Sequence, residues 1–306
     1  MDGIIIVNKE KGYTSHDIVA KVKKLLNVKK VGHTGTLDPN ATGVLPILIG
    51  EGTKLSSYLT NHDKTYQATL KLGEKRDTAD VEGNVIETKK VEQEVLTEEN
   101  IKFVFQNFIG KQEQTPPIYS AIKVQGKKLY EYARKGLKVE LPVRNIEIYD
   151  IKLDLINLQE NEIIFTVKCS KGTYIRSLCE EIAEKLCTVG YMKELVRKQV
   201  GEFYIENAIT INEIENQKND FSKLPIITME EFFREKSKIQ LNEKKVILFL
   251  NGVLLTRNEK DGIYRIYNEK GIFIGIGQIK DHKLKREIVI RKVASPHVQI
   301  ASNRTD

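Results

Sequence analysis

Apolar and polar positions change rhythm several times along this chain, and each rhythm predicts an element. GIIIVNK (3–9) is an apolar run of strand length and predicts a short buried strand. In TSHDIVAKVKKLLNV the apolar residues fall at 18, 19, 22, 25 and 26. That spacing marks one face of a helix, with Ser15 as its predicted cap. GVLPILIG suits a buried strand or a short helix cut by Pro46. YQATLKLG (66–73) alternates cleanly, with Tyr66, Ala68, Leu70 and Leu72 on one face and Gln67, Thr69 and Lys71 on the other. It predicts a half-buried strand. TEENIKFVFQNFIG predicts a capped helix ending at Gly110, and NIEIYDIKLDLI and EIIFTVKCS predict two more strands. A KGT turn then leads into a helix over YIRSLCEEIAEKLC.

Strands and helices alternate without an internal repeat. There is no GxGxxG, and GEGTK lacks the Walker spacing of a phosphate-binding loop. The expected fold is α+β, a mixed, mostly antiparallel sheet core with flanking helices. EQTPPIYSAIK opens a segment, about 115–145, that resembles an inserted loop or hairpin more than core. From about 206 to 240 the composition turns to Asn, Glu, Lys and Ile, which suggests a helical connector. Beyond it VILFLNGVLL, GIYRIYN and GIFIGIGQI read as short strands with glycine turns, a small β-rich domain. The predicted division is 1–235 and 236–306, in line with the two domains or so that 306 residues suggest.

Charge sharpens this picture. The net charge is +7, but 236–306 holds fifteen Lys and Arg against seven acids, and 119–144 holds seven against two. The remaining stretches are therefore net acidic. Solvated lysine faces would account for either basic segment alone. Within 119–144, however, Tyr119, Tyr130 and Tyr132 are interleaved with the cations, a pattern suited to phosphates and bases. It points to RNA or single-stranded nucleic acid, and makes the insertion an expected RNA-binding element. With 30% charged residues, a mean hydropathy of −0.36 and no apolar run near the ~18 residues of a span, no membrane association is expected. The N-terminus lacks a signal-peptide pattern, so the expected location is the cytoplasm, where the NAT and NRT sequons carry no meaning. Cys169, Cys179 and Cys187 form no CxxC and are expected to be buried thiols, not metal ligands.

Three residues sit oddly. Asp38, in GHTGTLDPNATG (32–43), precedes a proline and lies among small residues where another chain or ligand can approach closely. Spacing alone favours a turn in which Asp38 bonds its own loop, and leaves a nucleophile or base open. Arg176 falls at the third position of the predicted helix if Thr173 caps it, where the dipole disfavours a cation. Either it reaches solvent, or it pairs with a carboxylate such as Asp38. Tyr66 is on the apolar face of its strand, where a core tyrosine is the commonest explanation. His33, between two glycines, belongs to no metal-binding arrangement.

The motifs together resemble the TruB family of RNA pseudouridine synthases. GHTGTLDPNATGVLPILIGEGTK is similar to its catalytic loop and VNKEKGYTSHDIVAKVK to its N-terminal lysine motif. DKTYQATLKLGEKRDTAD resembles its tyrosine strand, and QTPPIYSAIKVQGKKLYEYARKG its RNA-embracing insertion. CSKGTYIRSL resembles its arginine motif, LVRKQVGEF the strand returning to the pocket, and the C-terminal strands a PUA-like RNA-binding domain. The resemblance implies that Asp38 is the nucleophile and that Arg176 pairs with it. It implies that Tyr66 stacks on the target base and removes the C5 proton. Tyr174 and Leu195 would shape the uracil pocket, and His33 would fill the space an everted nucleotide leaves. It further implies isomerisation without metal or cofactor.

GHTG with this insertion looks like the stand-alone bacterial form acting on uridine 55 in the tRNA T-loop. That form would be a monomer needing no protein partner. The rivals are a guide-RNA-dependent synthase of the same fold and a non-catalytic tRNA-binding or folding protein.

Overall fold

The computed structural model describes residues 1–290. β1 (Gly3–Lys9) leads into α1 (Ser15–Leu25), which a capping box opens. Thr14 Oγ1 accepts from the Asp17 amide at 3.1 Å, and the Asp17 carboxylate accepts from the Thr14 amide at 2.8 Å. The cap is therefore Thr14 and not Ser15, which lies inside the helix and is buried. β2 (Val31–His33) pairs with β3 (Thr42–Ile49), and the loop between them carries Asp38. Pro46 leaves β3 a strand because it sits where β2 peels away, its carbonyl accepting from the Thr34 amide at 3.2 Å.

After the short α2 (Ser56–Thr60), β4 (Lys64–Leu72) shows the expected alternation, and its buried face extends back to Lys64. The hairpin of β5 (Glu74–Arg76) and β6 (Val85–Thr88) follows. α3 (Glu98–Gln106) is capped by Thr97 and stops short of Gly110, whose φ of +109° opens β7 (Gly110–Gln114). The basic segment forms a small hairpin, β8 (Lys123–Val124) and β9 (Lys127–Lys128), then α4 (Leu129–Arg134). β10 (Arg144–Asn157), β11 (Glu162–Cys169), α5 (Ile175–Lys185), β12 (Gly190–Val200) and β13 (Phe203–Tyr204) complete the large sheet.

Its order is β1-β3-β12-β4-β11-β10-β7, with β2 on β3 and β13 on β12. Every pairing is antiparallel except β3 with β12. The mixed, mostly antiparallel α+β core is thus as expected. α3 and α5 cover one apolar cluster, which includes Leu70, Phe105, Phe165 and Ile182. α1 and α6 (Ile211–Asn216) cover another around Ile5, Ile18, Leu45 and Ile214.

The expected connector is a strap. It holds α6 and α7 (Met229–Phe232), and its backbone bridges the exposed side of β1: Asn8 N donates to Ile209 O at 2.8 Å and Ile4 N to Ile227 O at 2.9 Å. An otherwise open sheet edge is thereby closed.

The second sheet comprises β14 (Lys238–Leu241), β15 (Leu255–Thr256), β16 (Gly262–Asn268), β17 (Phe273–Lys280) and β18 (Lys283–Val289). VILFLNGVLL, predicted as strand, is instead helical in its first half, within α8 (Glu243–Leu250). Asn242 starts that helix by accepting from the Lys245 amide at 3.0 Å, a local bond that hydropathy does not register. Tyr267, Phe273, Ile276 and Ile288 share one apolar cluster with Ile4, Ile6, Val44 and Leu48 of the large sheet. The last part of the basic 236–306 stretch lies outside the described residues. Cys169 and Cys179 are buried as expected, but Cys187 is exposed. No described helix is long and apolar enough to cross a membrane.

Candidate active site

The loop carrying Asp38 is tied down by buried polar groups. Lys9, wholly buried at the end of β1, donates through Nζ to the carbonyls of Tyr13 (2.7 Å), Pro39 (3.0 Å) and Glu10 (3.1 Å). Ser15 Oγ accepts from the Leu37 amide at 2.9 Å and donates to the Leu37 carbonyl at 3.2 Å. Arg197, 1% exposed on β12, donates from Nε to Val44 O (2.7 Å), from Nη2 to Gly35 O (3.1 Å) and from Nη1 to Thr36 O (3.5 Å). Gly43 lets this happen: at φ +103° it packs so tightly on the Arg197 backbone that a β-carbon would collide with it. Burial lowers the Lys9 ammonium to about 8, against the pull of Asp38, and also lowers the Arg197 guanidinium.

Asp38 does not bond its own loop through its side chain. Its Oδ2 forms an ion pair with Arg176, 3.1 Å from Nε, while a backbone bond from the Ala41 amide to the Asp38 carbonyl (3.0 Å) closes the turn. The helix cap before Arg176 is Tyr174, not Thr173, whose hydroxyl donates to Ser170 O at 3.0 Å. Arg176 is therefore the second helical residue, and it is buried. Its Nη1 donates to Thr78 O (3.2 Å) and pairs with Asp80 Oδ2 (3.4 Å), and its Nη2 donates to Tyr119 O (3.1 Å). Asp80 is itself oriented, its Oδ1 accepting from Thr78 Oγ1 (2.7 Å) and the Glu82 amide (3.1 Å). One guanidinium thus joins the Asp38 loop, the β5–β6 turn, the insertion and α5. The planar fork makes this possible, and a point charge would not reproduce it.

Tyr66 lies directly across the ladder from Arg197 and is 9% exposed. Burial pushes its phenol up, and a hydrogen bond and the charge of Arg197 oppose that shift. Asp38, Tyr66, Arg176, Tyr174 and Leu195 all line one cavity of about 860 Å³. Tyr119 and Tyr130 of the insertion line it too, whereas the Tyr132 hydroxyl braces the hairpin through Val124 O at 3.1 Å. The Tyr174 backbone is held on both sides by Gln114, at 2.8 and 3.1 Å.

His33 is the exception among the expected site residues. It does not line the cavity; its ring lies edge-on to His16, centroids 5.7 Å apart, and its Nδ1 is buried without a partner. Lys9, Asp80 and Arg197 were not singled out from sequence. Lys9 and Arg197 had a signal, a cation on the inward face of an apolar strand pattern; Asp80, in the polar stretch RDTADVEG, had none. Among the described residues no three or more His, Cys, Asp or Glu are grouped to hold a metal ion.

Residues 23–175, half of the chain, match the TruB family pseudouridylate synthase (N terminal domain). The chain belongs to the TruB family. Residues 176–232 match the tRNA pseudouridylate synthase B C-terminal domain, and 237–287 the pseudouridine synthase II TruB C-terminal region. The tRNA pseudouridine synthase B of Caldanaerobacter subterraneus subsp. tengcongensis is 41% identical over 287 residues, covering 93% of this chain and 98% of its own. That of Geobacillus thermodenitrificans is 43% identical, covering 83% of this chain and 86% of its own. A solved Cbf5–Nop10–Gar1 complex contains a chain of similar fold, with a TM-score of 0.67, 25% identity, and coverage of 94% of this chain and 84% of that one.

Proposed function

We propose that this TruB-family chain is a tRNA pseudouridine synthase that converts uridine 55 of the T-loop, with Asp38 as nucleophile. The observation that carries the reading is the Asp38–Arg176 pair at 3.1 Å on the wall of a cavity shared with Tyr66. Isomerisation breaks the N1–C1′ bond, turns the uracil and joins C5 to C1′. C5 loses a proton and N1 gains one, so the product has the composition of the substrate. Arg176 would aim the Asp38 carboxylate at the nucleotide. Tyr66 would stack on the uracil and take the C5 proton; Arg197 on its hydroxyl favours the charged form that burial opposes.

The target base must leave its stack, at a cost of a few kcal/mol. Tyr174 and Leu195 would supply substitute contacts to the uracil, and His33, outside the cavity, would meet the RNA from which the nucleotide departs. Residues 236–306 would act as a PUA-like RNA grip beside a catalytic domain over 1–235. The protein would work in the cytoplasm as a monomer.

The test is incubation of the purified protein with bare tRNA transcript, followed by mass-resolved mapping of pseudouridine. Conversion at uridine 55 by the wild type, absent for Asp38→Ala, is the expected result. Conversion only after a guide RNA or partner protein is added would move the chain to the particle-bound reading. Binding without conversion under any condition would make it an RNA-binding protein.

A further inference from the structure

Three cations meet where the end of α2 approaches the turn between β11 and α5. Lys64 Nζ donates to the carbonyls of Thr60 (3.3 Å) and His62, and Lys171 Nζ donates to Asn61 Oδ1 at 2.6 Å. Arg144 stands beside Gly172 of the turn, its Nη1 3.7 Å from where a β-carbon would lie. All three line the cavity that holds Asp38. Lys64 is 8% exposed and shares the inward face of β4 with Tyr66, two residues away.

None of the three forms an ion pair with a carboxylate among the described residues. Asp63 partly offsets Lys64, but its Oδ1 accepts from the Tyr149 hydroxyl at 3.2 Å. Burial, Arg197 and Lys171 together bring the Lys64 ammonium down to about 8. Placing a desolvated ammonium near other cations, with no anion to match, disfavours the empty site. The arrangement is favourable once a ligand brings negative charge.

Uracil and ribose are neutral, so the charge a nucleotide carries into this cavity is on its phosphodiesters. Gly172, at φ +83° and without a side chain, leaves the turn's backbone open to close approach. We propose that Lys64, Arg144 and Lys171 form the cradle for the phosphodiesters flanking the everted uridine. This rests on the pseudouridylation reading above. The cradle would hold the backbone while the base turns, so that the nucleotide is not lost between bond breaking and bond making.

Arg144 and Lys171 are exposed, so Arg144→Gln and Lys171→Gln leave the core untouched. The full-length wild type and the double variant would be titrated with T-stem-loop hairpins carrying one neutral methylphosphonate. That group would sit 5′ or 3′ of the target uridine, or in the stem. A neutral flanking linkage should weaken wild-type binding by about tenfold and cost the double variant almost nothing further. The stem linkage should weaken both proteins by the same factor. In the double variant the slope of log K against log salt should fall by about 0.7 per lost contact. If flanking linkages weaken both proteins equally while the wild type still converts the unmodified hairpin, the cradle alone is overturned. If the wild type fails to convert that hairpin, the reading of the site falls and the cradle falls with it.

Discussion

Around Asp38 each cation is engaged within the protein. Arg176 holds two carboxylates and two carbonyls, Arg197 three carbonyls and the Tyr66 phenol, and Lys9 three carbonyls. At the rim, Lys64 and Lys171 touch only neutral oxygens, and Arg144 stands beside Gly172, which has no side chain. Charge in the first region fixes atoms relative to one another. Desolvating those cations is tolerable because each bond they donate is charge-assisted, at about 1.5–3 kcal/mol apiece. Charge in the second region is left over after folding, and only a ligand can use it. Substitutions near Asp38 should therefore damage turnover, and substitutions at the rim should damage affinity.

The strongest test of that division is Asp38→Ala. With Asp38 as the proposed nucleophile, turnover should fall by about 10⁴-fold or more, with RNA affinity held within several-fold in a filter-binding titration. Arg176→Lys and Arg197→Lys come next. Each keeps a charge and loses the fork, and a displacement of about 1 Å near the chemistry is worth roughly 100-fold in single-turnover rate. Equal losses of rate and affinity in either variant would erase the boundary between the two regions.

A smaller effect concerns pH. RNA binding should favour the charged form of Lys64 and so raise its pKa above the free value of about 8. Affinity should then stay level below pH 8 and fall about tenfold at most between pH 8 and 9. Lys64→Met should remove that step, and a step that survives in the variant would belong to another group. The smallest change is expected for Ser15→Ala. Losing the two bonds to Leu37 should cost about 1–2 kcal/mol, a drop of a few degrees in Tm, with turnover reduced about threefold.

Hydropathy announced the elements that bury apolar side chains, and missed those made from polar ones. β1, β4 and β16 were legible because one or both faces are apolar. EKR in β5 and GKQEQ in β7 pair as strands through backbone bonds alone, which leave no mark on side-chain pattern. α8 was misread because its exposed Ile247 and Leu248 blur the helical period, while the deciding bond comes from Asn242.

At the site, the order of motifs placed Asp38, Tyr66, Arg176, Tyr174 and Leu195 on one cavity, which no single residue's spacing could do. Arg197 escaped because most of its partners are carbonyls, and carbonyls have no residue identity. Asp80 escaped because its role depends on a contact across nearly a hundred residues of chain, through Arg176.

Tyr267, Phe273, Ile276 and Ile288 lean on the same apolar cluster as Ile4, Ile6 and Leu48, so the C-terminal sheet is welded to the large one and not hung from it. Severing the chain at 236 would bare that cluster to water and unsettle β1, from whose end Lys9 anchors the loop. A dangling arm would tolerate targets at many distances. On the proposed function a welded one would work as a caliper, an RNA being measured by whether its gripped part and its target uridine are spaced to fit between fixed jaws.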